Sequence, residues 1–187
     1  MKALLDACVL YPTVMRGMLL GAAGAGFFEP FWSARLLEEW ARAARKLGAS
    51  GEMQARAEIA LARADWPEAI VPPATGIEAR IVLPDPADEH VLASAVASSA
   101  DLLITLNARD FPKAALREEG LDRMDPDLFL LRFLCEDPAR MIAVAEHVRG
   151  EAGRLSGEIP PMRWLMKKAR LPRLGKALAA WPELPGA

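Results

Sequence analysis

The sequence predicts an α/β protein in which helices cover the faces of a parallel sheet. Short apolar runs typical of buried strands alternate with stretches of helical periodicity, and Gly- and Pro-containing segments separate them. After residue 125 the pattern is helical, which predicts a helical C-terminal extension. The predicted domains are therefore residues 1–125 and 126–187.

Three apolar runs are the predicted strands. The first covers Ala3 to Leu5, stops at Asp6 and could resume through Val9 and Leu10. The others are Ile81 to Leu83 and Asp101 to Thr105. Continuous apolar runs of this length are typical of parallel strands that are buried on both faces.

Caps and apolar residues at helical spacing predict the helices. One begins after Ser33 and runs to about residue 47, and another begins after Asp85 and runs to about Ser98. Asp-Pro pairs, each before a helical pattern, make Asp85, Asp125 and Asp137 predicted caps. The remaining predicted helices cover residues 14–28, 52–64, 129–135, 139–154, 160–169 and 172–181, and residues 66–76 are predicted as mostly loop.

Composition excludes several classes of protein. Of the 187 residues 52% are hydrophobic and 26% charged, a globular balance, and the longest uncharged apolar stretch, residues 17–28, is shorter than the ~20 residues of a membrane span. The only cysteines, Cys8 and Cys135, favour a reducing cytoplasm over a disulfide framework. Two histidines, His90 and His147, exclude a histidine-rich metal site. We therefore expect carboxylates to carry any chemistry.

Acidic residues are predicted to meet at one edge of the sheet. Asp6 ends the first strand, Asp88 begins the helix after the second, and Asp110 follows the third. In parallel sheets the functional crevice lies beyond the carboxyl ends of the strands. On a helical wheel Glu39 lies at the border of the buried face and Glu38 faces solvent, so Glu39 is the better fourth acid, although the choice stays open.

Clustered carboxylates repel one another unless a cation lies between them. Oxygen ligands suit Mg²⁺ or Mn²⁺, which polarise a phosphoryl oxygen and activate water, so the predicted reaction is metal-dependent phosphodiester hydrolysis. Simpler interpretations exist: Asp85 and Asp88 could both serve the start of a helix, Asp101 could be a surface residue, and His90 a bystander. Asp6 is harder to explain in this way, because an acid that interrupts a buried strand is costly without a partner.

Four segments carry a resemblance to a known family through their order and spacing. They are Leu4 to Leu10, Ser33 to Trp40, Asp85 to Ala95 and Ala100 to Pro112. Together they resemble PIN-domain proteins, in particular the VapC-like ribonuclease toxins of toxin–antitoxin pairs. The resemblance covers residues 1–125, and its most specific part runs from Asp85 to Pro112.

The resemblance implies a Rossmann-like three-layer α/β/α sandwich with a parallel sheet, and an acidic quartet that binds Mg²⁺ or Mn²⁺ and cleaves RNA. The positions matching the quartet are Asp6, Glu39, Asp88 and Asp110, with Asp6, Asp88 and Asp110 as implied metal ligands. Thr105 and Asn107 match accessory polar positions near the site. Cys8 departs from the family pattern, because Asn, Ser or Thr is common there.

The predicted function is a divalent-metal-dependent endoribonuclease, the toxin of a toxin–antitoxin pair in the cytoplasm. The resemblance also implies a cognate antitoxin protein and a homodimer. One alternative is a non-catalytic module that uses the same fold to bind RNA or a protein. A phosphatase of the haloacid-dehalogenase type is disfavoured, because its second Asp would stand where Cys8 does.

Charge is distributed unevenly along the chain. The net charge of −2 combines −6 over residues 1–130 with +4 over residues 131–187. The basic residues of the tail are Arg163, Lys167, Lys168, Arg170, Arg173 and Lys176, with no acid between Ile159 and Pro182. They are interpreted either as a solvated helix face or as an arm that contacts RNA phosphates, above all through Arg163, Lys167, Lys168 and Arg170.

Overall fold

The computed structural model describes residues 1–181, and within them the chain forms a five-stranded sheet in which every pair of strands is parallel. The strands are β1 (Lys2–Leu5), β2 (Glu29–Ser33), β3 (Ile70–Val71), β4 (Leu102–Ile104) and β5 (Asp122–Met124). Their order across the sheet is β3-β2-β1-β4-β5. With the helices, this sheet gives the three-layer α/β/α fold that the sequence predicts.

Helices account for most of the remaining described chain. Those between the strands are α1 (Ala7–Leu10), α2 (Thr13–Gly24), α3 (Ala34–Ala44), α4 (Ala49–Asp65), α5 (Thr75–Glu78), α6 (Glu89–Ala97) and α7 (Lys113–Glu118). Those after β5 are α8 (Pro126–Glu136), α9 (Pro138–Ser156), α10 (Met162–Lys168) and α11 (Pro172–Ala180). In the described part of the chain, none combines the length and apolar character that crossing a membrane requires.

The predicted caps are confirmed. The Ser33 side chain accepts a hydrogen bond from the backbone N–H of Leu36 at the start of α3. Asp125 and Asp137 accept backbone N–H groups at the starts of α8 and α9. Asp85 does the same for a short 3₁₀ turn, Pro86–Asp88, that leads into α6. Each of these side chains satisfies a backbone donor that the helix itself leaves unpaired.

Two strand predictions are wrong. Ile81 to Leu83 is not a strand: Ile81 and Leu83 are buried, but Val82 between them is 83% exposed. The Leu83 N–H donates to the Glu89 carboxylate at 3.4 Å and not to a neighbouring strand. An apolar run can therefore contribute buried side chains to a core without forming a strand. The first strand also does not resume at Val9 and Leu10, which lie in α1.

Three strands were not predicted from the sequence. In β2, Pro30 interrupts the pattern, and Pro is uncommon inside a sheet since it donates no ladder hydrogen bond. The two residues of β3 lie in the segment predicted as loop, and β5 begins with Asp122 and Arg123. Each of the three pairs with a strand that lies about 20 or more residues away in the sequence.

The chain divides into two compact units. The first comprises residues 1–11 and 28–124, and the second comprises residues 12–27 together with the described residues from 125 to 181. In the second unit α2 packs against α8 and α9, where a Cβ at Gly21 would lie only 2.7 Å from a methyl group of Val144. That pairing of residues 12–27 with the C-terminal helices is not visible in the sequence. The domain boundary at residue 125 stays a prediction.

A buried carboxylate fixes α11 within the second unit. Asp127 is 4% exposed and lies in the first turn of α8, and its two oxygens accept the backbone N–H groups of Arg173 and Leu174, both at 2.9 Å. We expect Asp127→Ala to lower the free energy of unfolding by about 2–4 kcal/mol, because both donors lose their acceptor inside the protein. Urea unfolding measures this, and Asp127→Asn should lose less since one oxygen remains. A loss no larger than that of an ordinary surface substitution would contradict the role.

Candidate active site

The strand order creates a crevice at the carboxyl ends of β1 and β4. The chain moves outward from β1 to β2 and β3 and then returns to the other side of β1 with β4, so the topology switches between these two strands. Such a switch point leaves a cleft, because the connections after the two strands diverge. Leu5 pairs with Ile104 in the register, so Asp6 and Thr105 follow side by side.

Asp6 lies at this crevice and is held by two neighbouring donors. Its side chain is largely buried, with 8% of the residue exposed. Its Oδ2 accepts hydrogen bonds from Thr105 Oγ1 at 2.6 Å and from Cys8 Sγ at 3.0 Å. These bonds fix the orientation of a carboxylate that the sheet would otherwise leave without a partner.

Cys8 keeps its proton in this environment. Burial and then the charge of Asp6 raise the pKa of the thiol to about 12, so it is a neutral donor at physiological pH. The Leu106 N–H donates to its sulfur at 3.3 Å. Cys8 therefore supplies the hydrogen bond for which Asn, Ser or Thr is common at this position in the family that the sequence resembles.

Asn107 links two further acids to the same loop. Its backbone N–H donates to Thr105 Oγ1 at 2.9 Å, and its side-chain amide donates to Asp110 Oδ2 at 2.5 Å. The same amide lies 3.5 Å from Asp88 Oδ2. Thr105 and Asn107, predicted as accessory residues, thus form a polar chain between Asp6, Asp88 and Asp110.

Asp88 experiences the charge of the whole cluster. Burial first, and then the carboxylates of Asp6, Asp85, Asp110 and Glu39, raise its pKa from an ordinary value of 3.8 to about 6. Its side chain makes no capping hydrogen bond to α6, whereas Asp85 caps the preceding turn. The structure thus favours a role for Asp88 other than that of a helix cap, and it gathers the four predicted acids close enough to repel one another.

The two adjacent glutamates of α3 have different surroundings. Glu38 pairs with Arg56 and Arg42, and its hydrogen bonds to Arg56 are the main reason that its pKa is lowered. Glu39 instead lies 3.6 Å from Arg35 Nε, and its Oε1 is 2.9 Å from Nε2 of His90. The charge of Glu39 reaches the acidic cluster, and the charge of Glu38 is neutralised on the surface.

His90 is the residue near the site that sequence reasoning set aside. It is 4% exposed and lies two residues after Asp88, on the first turn of α6. Its contact with Glu39 is short, but the ring is not aligned for a hydrogen bond, and neither nitrogen has a partner among the described residues. Only its position next to Asp88 on a helix could have indicated the contact from the sequence.

A comparison with family models identifies the family of this chain. A model described as a PIN domain matches residues 2–109. The chain belongs to the PIN-domain family. No curated protein and no solved structure matches it significantly. PIN domains are generally nucleases and typically use divalent metal ions.

The match covers most of the acidic site of this PIN domain. Asp6, Glu39 and Asp88 lie inside the matched span, and Asp110 is the first residue beyond it. Helices α8 to α11 lie outside the match. The match therefore covers β1 to β4 and three of the four predicted acids.

The donors of this PIN domain fit a hard divalent cation in kind. No group of three or more His, Cys, Asp or Glu residues within residues 1–181 is already arranged around a common point as a metal site. Mg²⁺ does not require such a group, because it commonly keeps several waters and takes one or two carboxylates directly. Burial and then the neighbouring carboxylates raise the pKa of Asp88, and a bound cation would favour the ionised form.

Proposed function

We propose that this PIN domain is a Mg²⁺- or Mn²⁺-dependent endoribonuclease that hydrolyses phosphodiester bonds in RNA. The observation that carries the proposal is the geometry of the crevice, where Thr105 and Asn107 link the carboxylates of Asp6, Asp88 and Asp110 through polar contacts. Burial and the neighbouring carboxylates also raise the pKa of Asp88 to about 6. Strongly perturbed carboxyls in a cleft are typical of functional sites, and a scaffold gains nothing from assembling them.

In this proposal Asp6, Asp88 and Asp110 would hold the metal. When bound, the ion polarises a phosphoryl oxygen and lowers the pKa of a bound water. Thr105 and Cys8 keep the Asp6 carboxylate in one orientation, and Asn107 does the same for Asp110. Glu39 remains partly exposed and could accept a proton from the attacking water, with His90 packed against it.

Metal removal tests the activity directly. We expect purified protein to cleave single-stranded RNA with Mg²⁺ or Mn²⁺, to lose cleavage in EDTA, and to recover it when excess metal is restored. Gel analysis of an end-labelled RNA measures cleavage at internal positions. Cleavage that persists in EDTA would contradict the proposed site. RNA binding with no cleavage under any metal would favour the alternative, a non-catalytic module.

We also propose that the ribonuclease is a cytoplasmic toxin that a cognate antitoxin protein holds inactive, and that it works as a homodimer. The four family-like segments support this role, and the free thiols of Cys8 and Cys135 are compatible with a reducing compartment. Expression should arrest growth, and the product of the adjacent gene should relieve the arrest. Growth unaffected by the active enzyme would exclude the toxin role and leave the nuclease proposal intact.

A further inference from the structure

The second unit carries an open cavity with an aromatic wall. It has a volume of about 540 Å³ and lies where the end of α9, the segment 157–161 and the start of α10 meet. Its lining includes Pro160, Pro161, Trp164 and Leu165 as apolar groups and Ser156 and Glu158 as polar groups. Trp164 is 53% exposed, which is unusual for so large an apolar side chain.

Basic side chains without carboxylate partners lie in the same part of the chain as this aromatic wall. The basic side chains of α10, α11 and the short link between them are all exposed, and within residues 1–181 none of them forms an ion pair: Arg163, Lys167, Lys168, Arg170, Arg173 and Lys176. Many other arginines are paired with carboxylates, among them Arg35, Arg42, Arg45, Arg56, Arg80, Arg140, Arg149 and Arg154. The Nζ of Lys168 lies over the Trp164 ring, 5.2 Å from its centre. Within residues 1–181, therefore, no carboxylate neutralises these basic side chains.

We propose that this surface, defined by Trp164, Arg163, Lys167 and Lys168 around the cavity, docks single-stranded RNA. An unpaired base would stack on Trp164 in the cavity, and the adjoining phosphates would contact the three cations. This surface would hold the RNA substrate, so the inference rests on the proposed ribonuclease function. An acidic peptide would also meet the cations, but a polyanion with flat aromatic bases matches both the basic side chains and the exposed ring.

Binding can be measured without cleavage, in the Asp6→Asn protein in EDTA. The probe is a short fluorescein-labelled oligouridylate, followed by fluorescence anisotropy over a range of salt concentrations. Trp164→Ala should weaken binding roughly ten-fold, and Trp164→Phe should restore most of it, because stacking needs an aromatic face. Lys167→Glu and Lys168→Glu should each reduce the slope of log affinity against log salt by about one. Lys46→Glu is the matched control, since Lys46 is exposed in the first unit and should leave both quantities unchanged.

Three results would overturn the docking surface. One is unchanged oligouridylate binding by correctly folded Trp164→Ala, with folding checked by circular dichroism. Another is equal affinity for duplex RNA, whose bases cannot stack on the ring. The third is a self-associating protein in which Trp164→Ala abolishes the dimer and leaves RNA affinity intact, because the cavity would then serve a second copy. Tryptophan-dependent binding by a protein that never cleaves RNA would instead refute the proposed ribonuclease and leave this surface standing.

Discussion

Asp6→Asn is expected to reduce RNA cleavage by on the order of 100-fold or more while the protein stays folded. Asp6 is the acid that β1 delivers to the switch point, and its Oδ2 accepts from both Thr105 and Cys8. An amide in its place removes a charge that a divalent cation needs. It also presents either a weaker acceptor or an NH₂ group that cannot accept from these donors.

The matched control lies just before β4, at the end of that strand opposite the crevice. Asp101 precedes β4, is exposed, and accepts the Lys2 N–H at 2.7 Å, so Asp101→Asn makes the same chemical change away from the crevice. We expect it to leave the initial rate of cleavage unchanged. Thr105→Val removes the hydroxyl that holds Asp6 and should lower the rate by about 10-fold or more. Equal activity of Asp6→Asn and Asp101→Asn would remove Asp6 from the catalytic machinery.

The sequence was sufficient to predict the two central strands and the acids that follow them. Both β1 and β4 are buried on each face, so their apolar runs are conspicuous, and Asp6 is conspicuous because it ends such a run. The helix caps were equally predictable, since Ser33, Asp85 and Asp137 act on backbone groups two or three residues away. An interaction between residues that are close in sequence can be predicted from those residues alone.

What could not be predicted depends on distant partners. The strand β2 contains Pro30 and is recognisable only once β1 lies beside it, whereas Ile81 to Leu83 has a strand-like composition and no strand partner. The contact of His90 with Glu39 joins α6 to α3, and the sequence does not record which faces of two helices meet. For the same reason the sequence did not show that residues 12–27 pack with α8 and α9.

Because the neighbouring acids repel its charge, Asp88 is expected to destabilise the metal-free protein even though cleavage requires it. Its pKa rises from 3.8 to about 6 on folding, so between these values the folded state binds more protons than the unfolded state. Stability therefore falls as the pH rises through this window, and the loss is complete above about pH 6. Because the carboxylate is partly exposed, solvent screening reduces this loss to about 1 kcal/mol.

Asp88→Asn should consequently stabilise the metal-free protein at pH 8 and abolish cleavage. We expect its unfolding midpoint in EDTA to lie about 2–4 °C above that of the wild type, with the difference disappearing below about pH 3, where Asp88 is protonated in both the folded and the unfolded state. Calorimetry across this pH range measures the effect, and Glu118→Gln, an exposed change of equal charge, is the control with little expected shift. Mn²⁺ should then raise the midpoint of the wild type more than that of Asp88→Asn, because only the wild type retains the carboxylate that binds it. A lower midpoint for Asp88→Asn at pH 8 would mean that the other carboxylates do not repel Asp88 and that no cation is needed between them.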